Sequence, residues 1–108
     1  MLAVLLAEGS VATADLVIVE ILQGIDKNRE FDRVLRLFKQ LDLIIIADEV
    51  IAIEAARNFR RLRSLGITVR KTIDTLIATR CIQDGHTLLY SDRDFDPFVE
   101  HLGLESVL

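Results

Sequence analysis

The stretch YSDRDFDPF, residues 90 to 98, sets Asp92, Asp94 and Asp96 at every second position directly after the apolar run LLY. Like charges at this spacing raise one another's pKa, so the arrangement is unfavourable unless a cation or a helix N-terminus compensates it. Two further acids stand out by their surroundings: Glu20 interrupts LVIVEILQ, and Asp74 interrupts KTIDTLIATRCI. A half-buried carboxylate is costly to ionise unless it is paired or bound to a metal. Cation binding is therefore the chemistry these residues could share. Each also has a plainer reading. Asp74 alone reads as a first-turn acid of a helix capped by Thr72, where the helix dipole favours it. Glu20 reads equally as the partner of a nearby arginine, and one of the three late aspartates as the cap of a helix beginning near Asp94.

Other chemistries find no support. Cys81 lies in apolar surroundings, where it reads as a small buried helix residue, and neither His86 nor His101 has a motif around it. D-R-D-F-D opens like a calcium loop, but the sixth position is Pro97, where glycine is needed, and the twelfth is Gly103, where a bidentate glutamate belongs.

The elements that must position these acids follow from periodicity and from the five glycines that punctuate the chain. Phe31, Val34, Leu35, Phe38 and Leu41 recur at steps of three and four, which predicts an amphipathic helix from Asn28 to Gln40. LIIIA, residues 43 to 47, is a short continuous apolar run and reads as a buried strand. A second long helix starts at Asp48 as N-cap and stops at Gly66, with Ile51, Ala55, Phe59 and Leu62 on its inner face. Thr72 to Asp84 reads as a third, ended by Gly85. HTLLYS then reads as a strand, Asp94 to His101 as a short helix and LESVL as a last strand. SVATADLVIVEILQG could be strand throughout, but its length and glycine stop favour a short strand VAT followed by a helix from Asp15 to Gln23. Strands separated by helices imply an α/β fold with a mainly parallel sheet, in which ligands sit beyond the carboxyl ends of the strands. YSDRDFDPF lies at such an end.

The chain has 108 residues, 51% hydrophobic and 28% charged, enough for a single domain spanning residues 1–108 with a real core. MLAVLLA has no preceding basic residue and is too short for a signal peptide, and nothing is long enough to span a membrane. A lone cysteine fits a reducing, cytoplasmic setting. The net charge of −4 argues against gripping nucleic acid by bulk charge, yet its distribution is polarised. Arg57, Arg60, Arg61, Arg63, Arg70 and Lys71 make residues 57–71 a +6 segment without one acid, and the remainder is −10. Charge alone would make that segment a solvated helix face.

VIVEILQG, TVRKTIDTLIA and SDRDFDPF, in this order and spacing, resemble the PIN-domain ribonucleases of the VapC toxin type, and the resemblance runs the length of the chain. It implies a PIN-like three-layer α/β/α fold and a Mg²⁺- or Mn²⁺-dependent endoribonuclease, the toxin of a toxin–antitoxin pair. By the same resemblance Glu20, Asp74 and Asp92 are the catalytic metal ligands, and Asp94 is a secondary ligand or helix cap. Asp96 is left as a surface or capping residue. A cognate antitoxin, an RNA substrate and a homodimer are the implied partners. Arg70 and Lys71, just ahead of Asp74, are the expected RNA contacts. Family members open with a strand ending in an aspartate. This sequence has no such opening before VATADLVIVE, so the first strand and most of the first helix are expected to be missing, with a gap in the centre of the sheet. The alternative reading is thus an inactive, N-terminally truncated remnant that binds an antitoxin or itself.

Overall fold

The computed structural model describes residues 3–7, 10–90 and 93–106. Its elements are β1 (Ala3–Ala7), β2 (Ser10–Ala14), α1 (Asp15–Leu22), α2 (Asn28–Phe38), β3 (Asp42–Ile44), α3 (Glu49–Ser64), α4 (Thr72–Asp84), β4 (Thr87–Tyr90), a 3-10 turn (Arg93–Phe95), α5 (Asp96–Leu102) and β5 (Glu105–Ser106). The strands form one sheet in the order β3-β2-β1-β4-β5. β2 pairs with β3 in parallel and β4 with β5 in parallel, while β1 is antiparallel to both β2 and β4. Four strands therefore run one way and β1 alone runs against them, which is the mainly parallel α/β sheet expected.

Three expectations need correction. The centre of the sheet holds a strand: Ala3–Ala7 is inserted between β2 and β4, with Leu5 opposite both Ala12 and Leu88. An apolar run can hydrogen-bond on both edges there, closing a sheet that would otherwise expose two rows of backbone groups. LIIIA is not a buried strand. Only Leu43 and Ile44 of it belong to β3, which lies at the sheet edge, and the run alternates outward and inward. Leu43 is 54% and Ile45 56% exposed, whereas Ile46 is fully buried. Finally, α2 ends at Phe38 rather than Gln40, and none of its residues is fully buried.

The helix boundaries have local causes. Asp48 caps α3 by accepting the Ile51 backbone N–H at 2.9 Å. Gly85, with φ +72°, ends α4 in the left-handed conformation that glycine adopts without a Cβ clash. The core gathers Ala12, Ala14 and Val17 with Ile46, Ile51 and Leu62, and continues through Ile77, Ala78, Leu88, Phe95 and Phe98. Burying a side chain such as Ile77 or Leu88 contributes about 1.5–3 kcal/mol, so this cluster fixes α3 and α4 relative to the sheet. A direct bond adds to it: Asn58 Nδ2 of α3 donates to Thr79 Oγ1 of α4 at 3.0 Å.

Candidate metal and nucleic-acid site

Because β2 to β5 point the same way, their carboxyl ends share one edge of the sheet. α1 starts there, directly after β2, and the 3-10 turn follows the end of β4. Only Gly85 and His86 separate α4 from β4, so the end of α4 lies at the opposite edge. A 13-residue helix is about 20 Å long and a four-residue strand about 13 Å. Running back along its strand, α4 thus carries its first turn level with the carboxyl end of β4, and it touches both β4 and the 3-10 turn.

Asp74 occupies that first turn. It is fully buried, both carboxylate oxygens included. Its helix is not capped by Thr72 as expected: Lys71 is the N-cap residue and offers no side-chain cap. The Lys71 carbonyl instead accepts the Thr75 backbone N–H at 3.3 Å and hydroxyl at 3.5 Å. Arg70 and Lys71 are both exposed. Glu20 is half-buried on α1, beside Val17 on the core side and Val19, which is 49% exposed. Among the described residues Glu20 makes no ion pair, so the salt-bridge reading finds no partner. Asp94 is half-buried within the 3-10 turn, one residue before Phe95, the N-cap position of α5. It therefore does not begin that helix. Asp92 lies outside the described residues.

Asp96 has a structural role: the Tyr90 hydroxyl donates to its Oδ1 at 2.9 Å. Burial, reinforced by this carboxylate, raises the Tyr90 phenol above its ordinary pKa. The Tyr90 and Phe95 rings pack with centroids 5.2 Å apart, so the end of β4 is held to the 3-10 turn by an aromatic contact and to the start of α5 by the hydrogen bond to Asp96. Cys81 is buried, and burial pushes its thiol up to about 12, consistent with a packing role.

Two supporting residues escaped the sequence reading. Arg80 of α4 donates to the Ile46 carbonyl at 3.1 Å, and pairs with Asp48 at 2.5 Å and Asp84 at 3.3 Å. Its one readable signal was the i,i+4 spacing to Asp84. Burial lowers the Arg80 pKa, but its bonds to Asp48 and Asp84 outweigh this and leave it raised. The Ile51 N–H, and then Arg80, hold the Asp48 carboxyl below the usual carboxylate range. Asp15 is the second: its Oδ1 accepts from the Leu16 and Ile46 backbone N–H groups, both at 2.9 Å. Asp15 and Arg80 thus clamp Ile46 from its two backbone polar groups, and tie the end of β3 to α1 and α4.

Glu20, Asp74 and Asp94 offer only oxygen donors, the chemistry a hard divalent cation takes, and a buried carboxylate such as Asp74 gains from a positive charge. Among the described residues, however, no three His, Cys, Asp or Glu side chains come together as a metal-holding group. The donor type fits a divalent metal.

No helix among the described residues is long and apolar enough to cross a membrane. The PIN domain family model matches residues 2–99, which span all the acids discussed above and every described element except the end of α5 and β5. PIN domains are generally nucleases with a three-layer α/β/α fold, and divalent metals are their usual cofactors. With a match over nearly its whole length and the α/β fold that goes with it, this chain belongs to the PIN domain family.

Proposed function

We propose that this protein is a metal-dependent endoribonuclease of the VapC type, the toxin of a toxin–antitoxin pair, which hydrolyses RNA phosphodiester bonds. The observation that carries the reading is the family match combined with a fully buried Asp74 in the first turn of α4, directly behind the exposed Arg70 and Lys71. Glu20, Asp74 and Asp92 are the proposed metal ligands, with Asp94 as a secondary one. Bound there, Mg²⁺ or Mn²⁺ would lower the pKa of a water and offset charge on the phosphoryl oxygens. The chain's own part is to hold the carboxylates on elements that Arg80, Asp15 and the Tyr90–Asp96 bond keep in place. Arg70 and Lys71 contact the RNA backbone and orient it towards the acids. A small antitoxin with a basic tail suits the −10 charge outside residues 57–71, and a homodimer completes the proposed set of partners.

The test is cleavage of an end-labelled, structured RNA by the purified chain, first with Mg²⁺ or Mn²⁺, then with excess chelator, then with metal restored. The proposal expects loss on chelation and recovery on restoration. A folded chain that cleaves nothing in either metal would replace it with the second reading, a PIN domain that binds a partner without cutting. That reading has its own support, since Asp74 is closed to solvent.

A further inference from the structure

The proposed RNA contacts at Arg70 and Lys71 leave most of the +6 segment unused. Four of its arginines lie on the second half of α3. Arg57, Arg60, Arg61, Arg63 and Ser64 line an open concavity of about 630 Å³. All four arginines are exposed. Arg57 has a counter-ion, Glu54, at 3.5 Å. Among the described residues Arg60, Arg61 and Arg63 form no ion pair, and Arg63 instead lies over the Phe59 ring, 5.7 Å from its centroid.

A second basic concavity, on α2, shows the contrast. It is lined by Lys27, Arg29, Glu30, Arg33 and Arg36, so an acid sits within it, and Glu30 pairs with Arg33 at 2.5 Å. That surface has an acid in its own lining, whereas the α3 concavity has none, and its one counter-ion, Glu54, pairs with Arg57 alone and leaves Arg60, Arg61 and Arg63 unmatched among the described residues. Arg60 and Arg63, three residues apart on α3, are neighbours on the helix surface and repel one another, as does Arg61 with Arg57 four residues before it, and an external anion would relieve both pairs.

The α3 arginines also adjoin the candidate site. Arg60 and Arg63 form one rim of a groove between α3 and α4, about 490 Å³ in volume. Its floor is apolar, with Ala52, Ala55, Phe59 and Leu76, and its far side includes Thr72 and Thr75, the second of which follows Asp74 directly in the chain. Arginine matches phosphate oxygens with its planar fork, and an apolar slot holding an aromatic ring suits the face of an unstacked base. We propose that the second half of α3 is a track for the backbone of single-stranded RNA, running from Arg57 to Arg63 and delivering the strand to the first turn of α4. This deepens the ribonuclease reading and rests on it.

The experiment measures anisotropy of a fluorescent single-stranded RNA with the full chain, in chelator so that no cleavage intervenes, across a salt titration. The probe variant is Arg60→Gln/Arg61→Gln/Arg63→Gln, and the control is Arg29→Gln/Arg33→Gln/Arg36→Gln. All six side chains are exposed, so circular dichroism should match the parent in both. Each phosphate contact on a single strand contributes ~0.7 to the slope of log K against log salt. Loss of three contacts should reduce the slope by about 2, and the parent's fall in affinity between roughly 50 and 200 mM salt by about 20-fold. The control should keep the parent slope. An unchanged slope in the probe variant, or an equal change in both variants, overturns the track even if RNA still binds through Arg70 and Lys71. So does a polyglutamate chain that binds the same arginines with equal affinity and slope, since it makes the surface a protein contact. No RNA binding by the folded parent removes the ribonuclease reading, and the track with it.

Discussion

Replacing Arg80 with methionine removes one guanidinium and tests whether it holds the start of α3 to α4. Methionine keeps an unbranched stem, so packing changes little, and the loss is concentrated in polar contacts. The Ile46 carbonyl loses a charged donor at 3.1 Å from a side chain only 15% exposed. Such a bond is worth about 1.5–3 kcal/mol. The partners Asp48 and Asp84 have side chains 50% and 36% exposed, so those pairs are of the surface kind and add less. The sum is about 2–3 kcal/mol, and at roughly 4–6 °C per kcal/mol for a chain of this size it predicts a Tm lowered by about 10–15 °C. Urea unfolding followed by circular dichroism measures the free energy directly. Arg36→Met, at an exposed site on α2, should stay within about 0.5 kcal/mol of the parent. If Arg80→Met also stays within that margin, Arg80 is a surface arginine and the clamp on Ile46 does not exist.

Other consequences follow from the same contacts. Ile77→Ala, at a fully buried position on α4, should cost about 2–5 kcal/mol in urea unfolding with little change in m-value; a loss below about 1 kcal/mol would mean the α4 interface is loose. Asp48→Asn keeps a good N-cap but gives up the charge, and the folded Asp48 pKa is lowered. The stability this carboxylate contributes is therefore complete above its unfolded pKa of about 4 and is lost as pH falls through the lower folded value. The gap in urea midpoint between parent and variant should close below about pH 4, and a gap that persists or widens there contradicts the assignment. Cys81, buried and with its thiol pushed up to about 12, should resist aromatic disulfide reagents until urea unfolds the chain. Prompt reaction of the native protein would show that α4 opens locally.

Local chemistry made part of this molecule readable and non-local pairing hid the rest. Asp48 was legible as a cap because it stands just before an i, i+3, i+4 apolar pattern, and Gly85 because glycine has a conformational reason to end a helix. The run Leu43 to Ala47 misled because apolar content reports burial on two faces, whereas position at the sheet edge depends on strand order, which no local pattern encodes. Ala3–Ala7 has the same origin: its two partners, Ala12 and Leu88, are brought to Leu5 only by the finished sheet. Apolar neighbours marked both Glu20 and Asp74 as half-buried, which holds for Glu20, whereas Asp74 is fully buried because its helix packs against β4 and the 3-10 turn. Arg80 was missed because its chief partners, Ile46 and Asp48, are more than thirty residues away. The Tyr90–Asp96 bond was missed because Asp96 reads as a surface or capping residue at the start of a helix, and nothing local shows that the Tyr90 hydroxyl at the end of β4 reaches it.

The most direct test of the central claim is single-turnover RNA cleavage by Asp74→Asn beside the parent chain, in saturating Mg²⁺ or Mn²⁺. Circular dichroism and urea unfolding should confirm that both are folded. Asparagine preserves size while exchanging the carboxylate for a neutral amide, with one oxygen acceptor replaced by an NH2 donor. The parent should cleave and the variant should lose at least about a hundredfold in rate, the order expected for removing one essential electrostatic group, while still binding RNA with the parent's salt dependence. Equal cleavage by both folded proteins would contradict that claim, because a nuclease whose buried Asp74 carboxylate is dispensable does its chemistry elsewhere.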